Sequence, residues 1–272
     1  MALKMEEPGA QAKGRVPGNQ DKPPGKYLYC VVEDACVNFA FTGMNDGRIT
    51  AVRHEGLSAV VQDGVQGLYG KDGGVLRNLA IAHHKVVDAA AKMCGASLPF
   101  SFGNVVTGAG RDTPEERISA WLGRNYGVLK GKLEKVRGKA EYGVQVLWDT
   151  EVMAAKLIEK SPELKRLDQA ARASSPGTAF MYREKLRMAL RQETEAMADE
   201  RFRTFYGRIK KTVDEIKVDG IKKADGVERM LLNFSCLARD HEAEELGKIL
   251  DDIEREGFAV VFTGPWPPYS FV

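Results

Sequence analysis

Four histidines are the side chains with the clearest potential for metal chemistry. His83 and His84 form the adjacent pair, but neighbouring residues on a helix point about 100° apart, so one metal ion would rarely take both rings. His54 and His241 lack the Cys or carboxylate spacing typical of zinc sites. We therefore expect no metal site, and we interpret His83, on an apolar helical stripe, as a core or interdomain residue.

A glycine-rich loop is the candidate for phosphate binding. The run GKDGG at residues 70–74 precedes a predicted helix, whose free N–H groups could cradle a phosphate. It lacks the spacing and the Lys-Ser/Thr pair of a P-loop, so we interpret it as a flexible loop or helix-entry turn. The spacing of Ser, Cys, His and acidic residues indicates no Ser-His-acid triad and no Cys-His pair for nucleophilic catalysis. We predict no catalytic residue and no bound cofactor, although a scattered active site stays open.

Composition predicts a globular protein of two domains. The 272 residues carry a net charge of only +2, which gives no field toward nucleic acid. No apolar run approaches the roughly 18 residues of a membrane span, and the first residues lack a signal peptide's apolar core. The cysteines lie in apolar runs, which favours a cytoplasmic protein with reduced core thiols at Cys30, Cys36, Cys94 and Cys236.

The first half of the chain predicts a small α+β domain. A run that is apolar on both faces at 27–32 favours a central strand, and strands at 48–53 and 57–62 form a hairpin. Apolar residues at helical spacing predict a helix over about 75–95, and another strand follows at 97–102.

The second half predicts the order β-α-β-β-α-β, the split βαβ or ferredoxin-like arrangement. Helical segments between 151 and about 212 include one from about 178, which is too long for a small sheet to cover. Residues 181–211 carry nine bases against five acids, whereas 240–256 carry eight acids against two bases. We interpret these as solvated helix faces opposite one another, the alternative being two surfaces for different partners.

These patterns together predict an α+β protein of two domains. A Gly- and Pro-rich stretch at 1–25 predicts a disordered arm. We expect the N-terminal α+β domain over 26–110, a linking helix over 111–140 that starts at a capping Thr-Pro-Glu-Glu, and the ferredoxin-like domain over 141–264. The last segment, 265–272, is predicted to dock.

The last segment combines prolines with large aromatic residues. Prolines fix φ and remove N–H donors, so the segment is held extended at Pro265, Pro267 and Pro268. Burying a large apolar side chain is worth roughly 1.5–3 kcal/mol, which favours docking of Trp266, Tyr269 and Phe271. The receptor is either the protein itself or a partner.

The run TGPWPPYSF at residues 263–271 resembles the closing signature of the gas vesicle protein F/L family. Further blocks at 27–29, 56–61, 98–103 and 131–149 resemble the family in the same order. The likeness spans 27–272 and leaves the arm outside, and Cys30 stands where the family suggests a small residue. It does not separate the F branch from the L branch.

The resemblance implies two α+β domains, the second a modified ferredoxin-like fold, and no catalytic activity. It implies a cytoplasmic, gas-vesicle-associated accessory protein that contacts the small hydrophobic shell protein and other accessory proteins during nucleation or growth of the vesicle. The alternative from a different class is a small-molecule or nucleotide-binding enzyme on a ferredoxin-like domain, although fold alone is a weak argument for activity.

Two roles stay open for the aromatic segment. As a clamp on the protein's own two domains, it predicts that Trp266→Ala destabilises the protein by roughly 3–5 kcal/mol. As a free ligand for the shell, it predicts lost partner binding with almost no change in stability. We favour the clamp and expect the segment to lie beside the apolar stripe of the linking helix, including Trp121.

Overall fold

The computed structural model describes residue 3 and residues 25–34, 39–64, 72–220 and 228–272. The chain divides into two compact units, Met1–Glu141 with Pro265–Val272, and Tyr142–Gly264. Cys36, most of the predicted arm and the start of the glycine-rich loop lie outside the described residues. Mixed helix and sheet is confirmed, and no helix in the described segments is long and apolar enough to cross a membrane.

The first unit is built on a sheet in which β1 is central. Its strands are β1 Lys26–Glu33, β2 Ile49–His54, β3 Leu57–Asp63, β4 Leu98–Pro99 and β5 Val105–Val106. The order is β2-β3-β1-β4, and β5 also pairs with β1. Burial of β1 on both faces explains its continuous apolar sequence. The strand predicted at 97–102 is shorter, because its pairing is limited to β4 and the single bridge at Phe100.

One residue of the predicted arm is described within this sheet. Leu3 is buried, its N–H donates to the Pro99 carbonyl at 3.1 Å, and it forms a parallel bridge to Phe100. At this residue the chain is paired rather than free. The disorder predicted for the rest of 1–25 stays a prediction, apart from Gly25, which is described just before β1.

Helix α1, Gly73–Cys94, covers one face of this sheet. The Asp72 carboxylate accepts from the Gly74 N–H and caps the helix, and Gly95 ends it with a φ of 75°. The described end of the glycine-rich run is therefore a helix-entry turn. The predicted apolar stripe is buried, with Leu79, His83, Val86, Val87, Ala90 and Cys94 facing inward.

The single linking helix predicted over 111–140 is wrong in its continuity. The structure has two helices, α2 Pro114–Arg124 and α3 Tyr126–Val136, and both belong to the first unit. They separate at Asn125, whose side-chain amide donates to the Trp121 carbonyl at 2.8 Å and competes with the helical ladder. The predicted start is present, because the Thr113 hydroxyl and the Glu116 carboxylate form a capping box.

The second unit carries a four-stranded sheet, β7-β8-β6-β9. Its strands are β6 Ala140–Asp149, β7 Glu215–Val218, β8 Glu228–Ala238 and β9 Ala259–Trp266. The first two residues of β6 and the last two of β9 belong to the first unit. Alternating burial along β6 places Val144, Val146 and Trp148 in the core. Helix α7, Asp240–Arg255, buries Leu246, Leu250 and Ile253.

Three further helices form the long helical region between β6 and β7, which is too long to pack on the sheet alone. They are α4 Thr150–Lys160, α5 Pro162–Ala173 and the 35-residue α6 Pro176–Lys210, which is about 52 Å long at 1.5 Å per residue. The last turns of α6 bury Phe205 and Ile209, and α6 packs against α7 and β8. Helix α6 also packs on α4 and α5, which gives its remaining length a partner.

Candidate functional site

The aromatic tail, defined here as Pro265–Val272, belongs to the first unit. Pro267, Pro268 and Phe271 are buried, and Phe271 is only 7% exposed. Tyr269 is half-buried, whereas Trp266 is 44% exposed. A side chain with that exposure loses less on truncation, so the destabilisation predicted for Trp266→Ala is too large. Phe271 is the least exposed of the three aromatic residues of the tail.

A carboxylate at the start of β6 fixes the tail. Glu141 is buried, its Oε2 accepts from the Ser270 backbone N–H at 2.7 Å, and its Oε1 accepts from the Ser270 hydroxyl at 2.6 Å. Hydrogen bonds to an ionised group are roughly twice as strong as neutral ones. Beside them, the Lys135 ammonium lies 5.9 Å from the centre of the Phe271 ring.

The tail's aromatic rings pack on the histidine pair of α1. The His84 ring meets Trp266 edge-on at a centroid distance of 5.0 Å and stacks with Tyr269 at 6.1 Å. His83 lies 6.4 Å from Tyr269. Burial lowers the pKa of His84, so its neutral ring is the form that packs against the tail.

His83 is a core histidine, as its position on the apolar stripe predicted. Its Nε2 lies 3.2 Å from the Phe100 carbonyl, which can only accept, so Nε2 carries the proton. Its Nδ1 then accepts from the Tyr27 hydroxyl at 2.8 Å, and that oxygen accepts from the Gly103 N–H at 3.1 Å. Burial lowers the pKa of His83 to about 4. Both ring nitrogens of His83 therefore make hydrogen bonds within the fold.

A second buried network lies on the other side of the His83 ring, which stacks on Tyr29 at 5.3 Å. The Tyr29 hydroxyl donates to Gln62 Oε1 at 2.6 Å and accepts from the Met44 N–H at 3.0 Å. Burial raises the pKa of Tyr29 to about 12 and raises those of Tyr27 and Tyr269 further. These hydroxyls therefore stay protonated near neutral pH, and those of Tyr27 and Tyr29 act as hydrogen-bond donors.

Sequence reasoning missed the residues that receive the tail. It placed the tail beside the apolar stripe of the linking helix, including Trp121, but the Trp121 ring packs on Phe100 at 5.5 Å. The described ring–ring contacts of the tail are with the histidines of α1, and Lys135 of α3, within the predicted linking helix, lies over the Phe271 ring. His83 on the apolar stripe, with His84 beside it, was a usable signal for an aromatic partner. Glu141 gave no such signal, because one carboxylate among many has no distinguishing pattern.

Two open grooves lie in the second unit. One, of about 770 Å³, runs between α5 and α6, and the other, of about 830 Å³, lies over the polar side chains of the sheet, including Gln145, Asn233 and Ser235. Among the described residues, no group of three or more His, Cys, Asp or Glu side chains is arranged to hold a metal ion.

Comparison with known proteins gives one consistent result. The family model described as gas vesicle synthesis protein GvpL/GvpF matches residues 25–272. The chain is similar to gas vesicle protein L1 of Halobacterium salinarum, with 28% identity covering 91% of this chain and 90% of that protein. It is also similar to gas vesicle protein F of a Streptomyces species, with 28% identity covering 79% of this chain and 84% of that protein.

Solved structures share the fold. The crystal structure of GvpF from Anabaena sp. superposes with a TM-score of 0.70 at 18% identity, covering 92% of this chain and 98% of that one. GvpF from Microcystis aeruginosa gives a TM-score of 0.64 at 17% identity, covering 91% of this chain and 98% of that one. At such identities the likeness concerns the fold alone, whereas the family match concerns nearly the whole sequence. This chain belongs to the gas vesicle synthesis protein GvpL/GvpF family.

Proposed function

We propose that this protein is a non-enzymatic accessory protein of gas vesicle assembly. It contacts the small shell protein and other accessory proteins during nucleation or growth of the vesicle. The observation that carries this proposal is the family match across residues 25–272, which leaves almost no part of the chain for a separate activity. Relatives named gas vesicle protein L and gas vesicle protein F both match over most of their length, which supports a role common to the two branches.

The aromatic and histidine cluster supports a structural rather than a catalytic role. The two nitrogens of His83 and the hydroxyls of Tyr27 and Tyr29 are engaged in buried hydrogen bonds. A general base needs an available lone pair and a pKa near the working pH, and His83 has neither. We propose that the protein acts at the vesicle in the cytoplasm without a cofactor.

The strand order of the second unit supports the finer proposal of a ferredoxin-like fold. In the split βαβ arrangement, the first strand lies between the third and the fourth, with the second at the edge. The order β7-β8-β6-β9 fits that rule, because β6 is the first strand of this unit and β9 the last. The helices α4 and α5 are then additions before the long α6.

We also propose that the aromatic tail is a clamp rather than a free ligand. The chain passes between the two units at residues 141–142 and again at residues 264–265. The second passage is secured on the first unit by the buried side chain of Phe271 and by the hydrogen bonds of Ser270 to Glu141. Prolines at 265, 267 and 268 reduce the entropy that the segment loses on docking.

Co-purification tests the proposed function. The tagged full chain, expressed with the other gas vesicle proteins of its host, is expected to retain the shell protein or another accessory protein after washing. A matched tagged protein of the same host that is unrelated to vesicles is the control. Retention of none of these proteins would overturn the proposal, and so would a nucleotide or metabolite that raised the melting temperature and was turned over.

A further inference from the structure

The groove between α5 and α6 is lined by half-buried Leu167, Ala170 and Ala189, called its floor here, and by exposed Arg166 and Lys185, called its rim. It is open along its length and lies entirely in the second unit. Its walls come from one face of each helix and include Arg166, Leu167, Ala170, Lys185, Met188 and Ala189. Helices α5 and α6 pack against each other below it.

Large apolar side chains stand in solvent along the same part of α6. Phe180, Met181 and Met188 are each between 58% and 67% exposed. Helical spacing puts Met181, Lys185 and Met188 on one face, because they are separated by four and three residues. Clustered exposed apolar side chains mark interaction sites, and flexible methionines adapt to varied partners.

The two ends of α6 differ in how their positive charges are used. Toward its end, Arg201 lies 2.8 Å from Glu256, and Arg208 lies 3.2 Å from Asp252, an acid of α7. Two acids of the stretch at 240–256 therefore face two bases of α6. These ion pairs lie only in the part of α6 that packs on α7.

The groove itself keeps an excess of unpaired cations. Residues 162–192 carry seven bases against three acids. Within the described residues, Arg166 and Lys185 at the rim and Arg183 nearby make no ion pair, and Glu163 is the one acid that lines the groove. An occupant that meets this rim therefore carries negative charge.

We propose that this groove binds an acidic amphipathic helix of a partner chain. A third helix fits between two packed helices by laying its apolar side chains into their groove. Its carboxylates would pair with Arg166 and Lys185, and its apolar face would cover Met188 and the alanine floor. This inference rests on the proposed function in one respect, namely that the partner is another protein of vesicle assembly.

A second copy of this chain does not fit the groove as well. Its strongly acidic helix is α7, but the apolar face of α7 is already buried in its own unit through Leu246, Leu250 and Ile253. An α7 docked in the groove would bring carboxylates without apolar side chains. The occupant is therefore expected to come from a different protein.

Site-specific crosslinking tests the occupant directly. Met188 of the full chain is replaced by the photo-reactive p-benzoylphenylalanine, and the protein is expressed with the other gas vesicle proteins of its host. Irradiation is expected to attach a partner peptide that has acids and apolar residues at helical spacing, identified by mass spectrometry. The same replacement at Val128, an exposed apolar position on α3 of the first unit, is the control and is expected to give no such adduct.

Charge reversal tests the electrostatic part of the proposal. Arg166→Glu combined with Lys185→Glu is expected to reduce the adduct about tenfold, as two lost ion pairs and two new repulsions require. Arg203→Glu, at an exposed position of α6 outside the groove, is the control. An unchanged yield, an adduct to a second copy, or an adduct to a segment without acids would each overturn the groove proposal. Absence of any adduct at Met188, in a host that needs this protein for vesicles, would overturn the groove alone and leave the proposed function standing.

Discussion

His83 makes the stability of the first unit depend on pH. The unfolded chain protonates this imidazole below its ordinary pKa of 6.5, whereas the folded chain holds the pKa at about 4. Between these values the unfolded state binds more protons, so the free energy of unfolding falls as the pH falls. The loss on going from pH 7 to pH 4 is about 3 kcal/mol at 1.36 kcal/mol per unit.

Urea unfolding between pH 4 and pH 7 measures this dependence. His83→Gln keeps a donor and an acceptor but does not titrate, so the difference between wild type and variant isolates the His83 contribution. His241→Gln, at an exposed position in the second unit, controls for the loss of a histidine. Identical pH profiles for the wild type and His83→Gln would contradict the assigned network.

Removing the Ser270 hydroxyl tests how much its hydrogen bond to Glu141 stabilises the docked tail. Ser270→Ala removes the 2.6 Å hydrogen bond and leaves the backbone N–H as a donor. Loss of a hydrogen bond to a charged group predicts a decrease of about 1–2 kcal/mol in the free energy of unfolding. Ser174→Ala, whose side chain makes no hydrogen bond among the described residues, is the control. A change below about 0.5 kcal/mol would show that the bond contributes little.

At the scale of elements, Phe271 and Trp266 separate the two roles of the tail. Phe271→Ala empties a buried aromatic site and is expected to cost about 3–5 kcal/mol. Trp266→Ala is expected to cost less, about 1–2 kcal/mol, because 44% of that residue is already exposed. Denaturant midpoints of the two variants give the comparison. Unchanged midpoints in both variants would favour the free ligand over the clamp.

Elements with a strong local pattern could be predicted from the sequence. The buried residues of α1 recur at helical spacing, so the apolar periodicity of the sequence predicts the helix. The break at Asn125 could not be predicted in the same way, because the apolar stripe runs through α2 and α3 and only one side-chain amide interrupts it. The strand predicted at 97–102 was longer than the observed β4. The apolar residues beyond β4 are buried by tertiary packing rather than by strand pairing.

The sequence offers candidate residues for the tail, but it offers none for the side chains that contact the tail in the structure. Prolines and aromatic residues in one short run predict a segment that docks, and the sequence analysis named six residues from that run. Glu141 and His84 come together with the tail only through the fold, at separations of 129 residues for Glu141 with Ser270 and 185 for His84 with Tyr269. Contacts so distant in sequence leave no periodic trace.

At the scale of the whole molecule, charge is used differently along one helix. Near its end, α6 pairs Arg201 with Glu256 and Arg208 with Asp252, whereas Lys185 near its beginning lies on one face with the exposed Met181 and Met188. A net charge of +2 hides this arrangement, because the acids of α7 and the bases of α6 nearly cancel in the total. The groove proposed above as a docking surface follows from local charge balance rather than from net charge.

Deletion of the gene, followed by electron microscopy of the host, tests whether the protein acts in gas vesicle assembly. The proposed function predicts that gas vesicles are lost or reduced in number in the deletion strain and return when the intact gene is supplied on a plasmid. An empty plasmid is the control for the complementation. Vesicles of normal number and shape in the deletion strain would contradict a role of this protein in gas vesicle assembly.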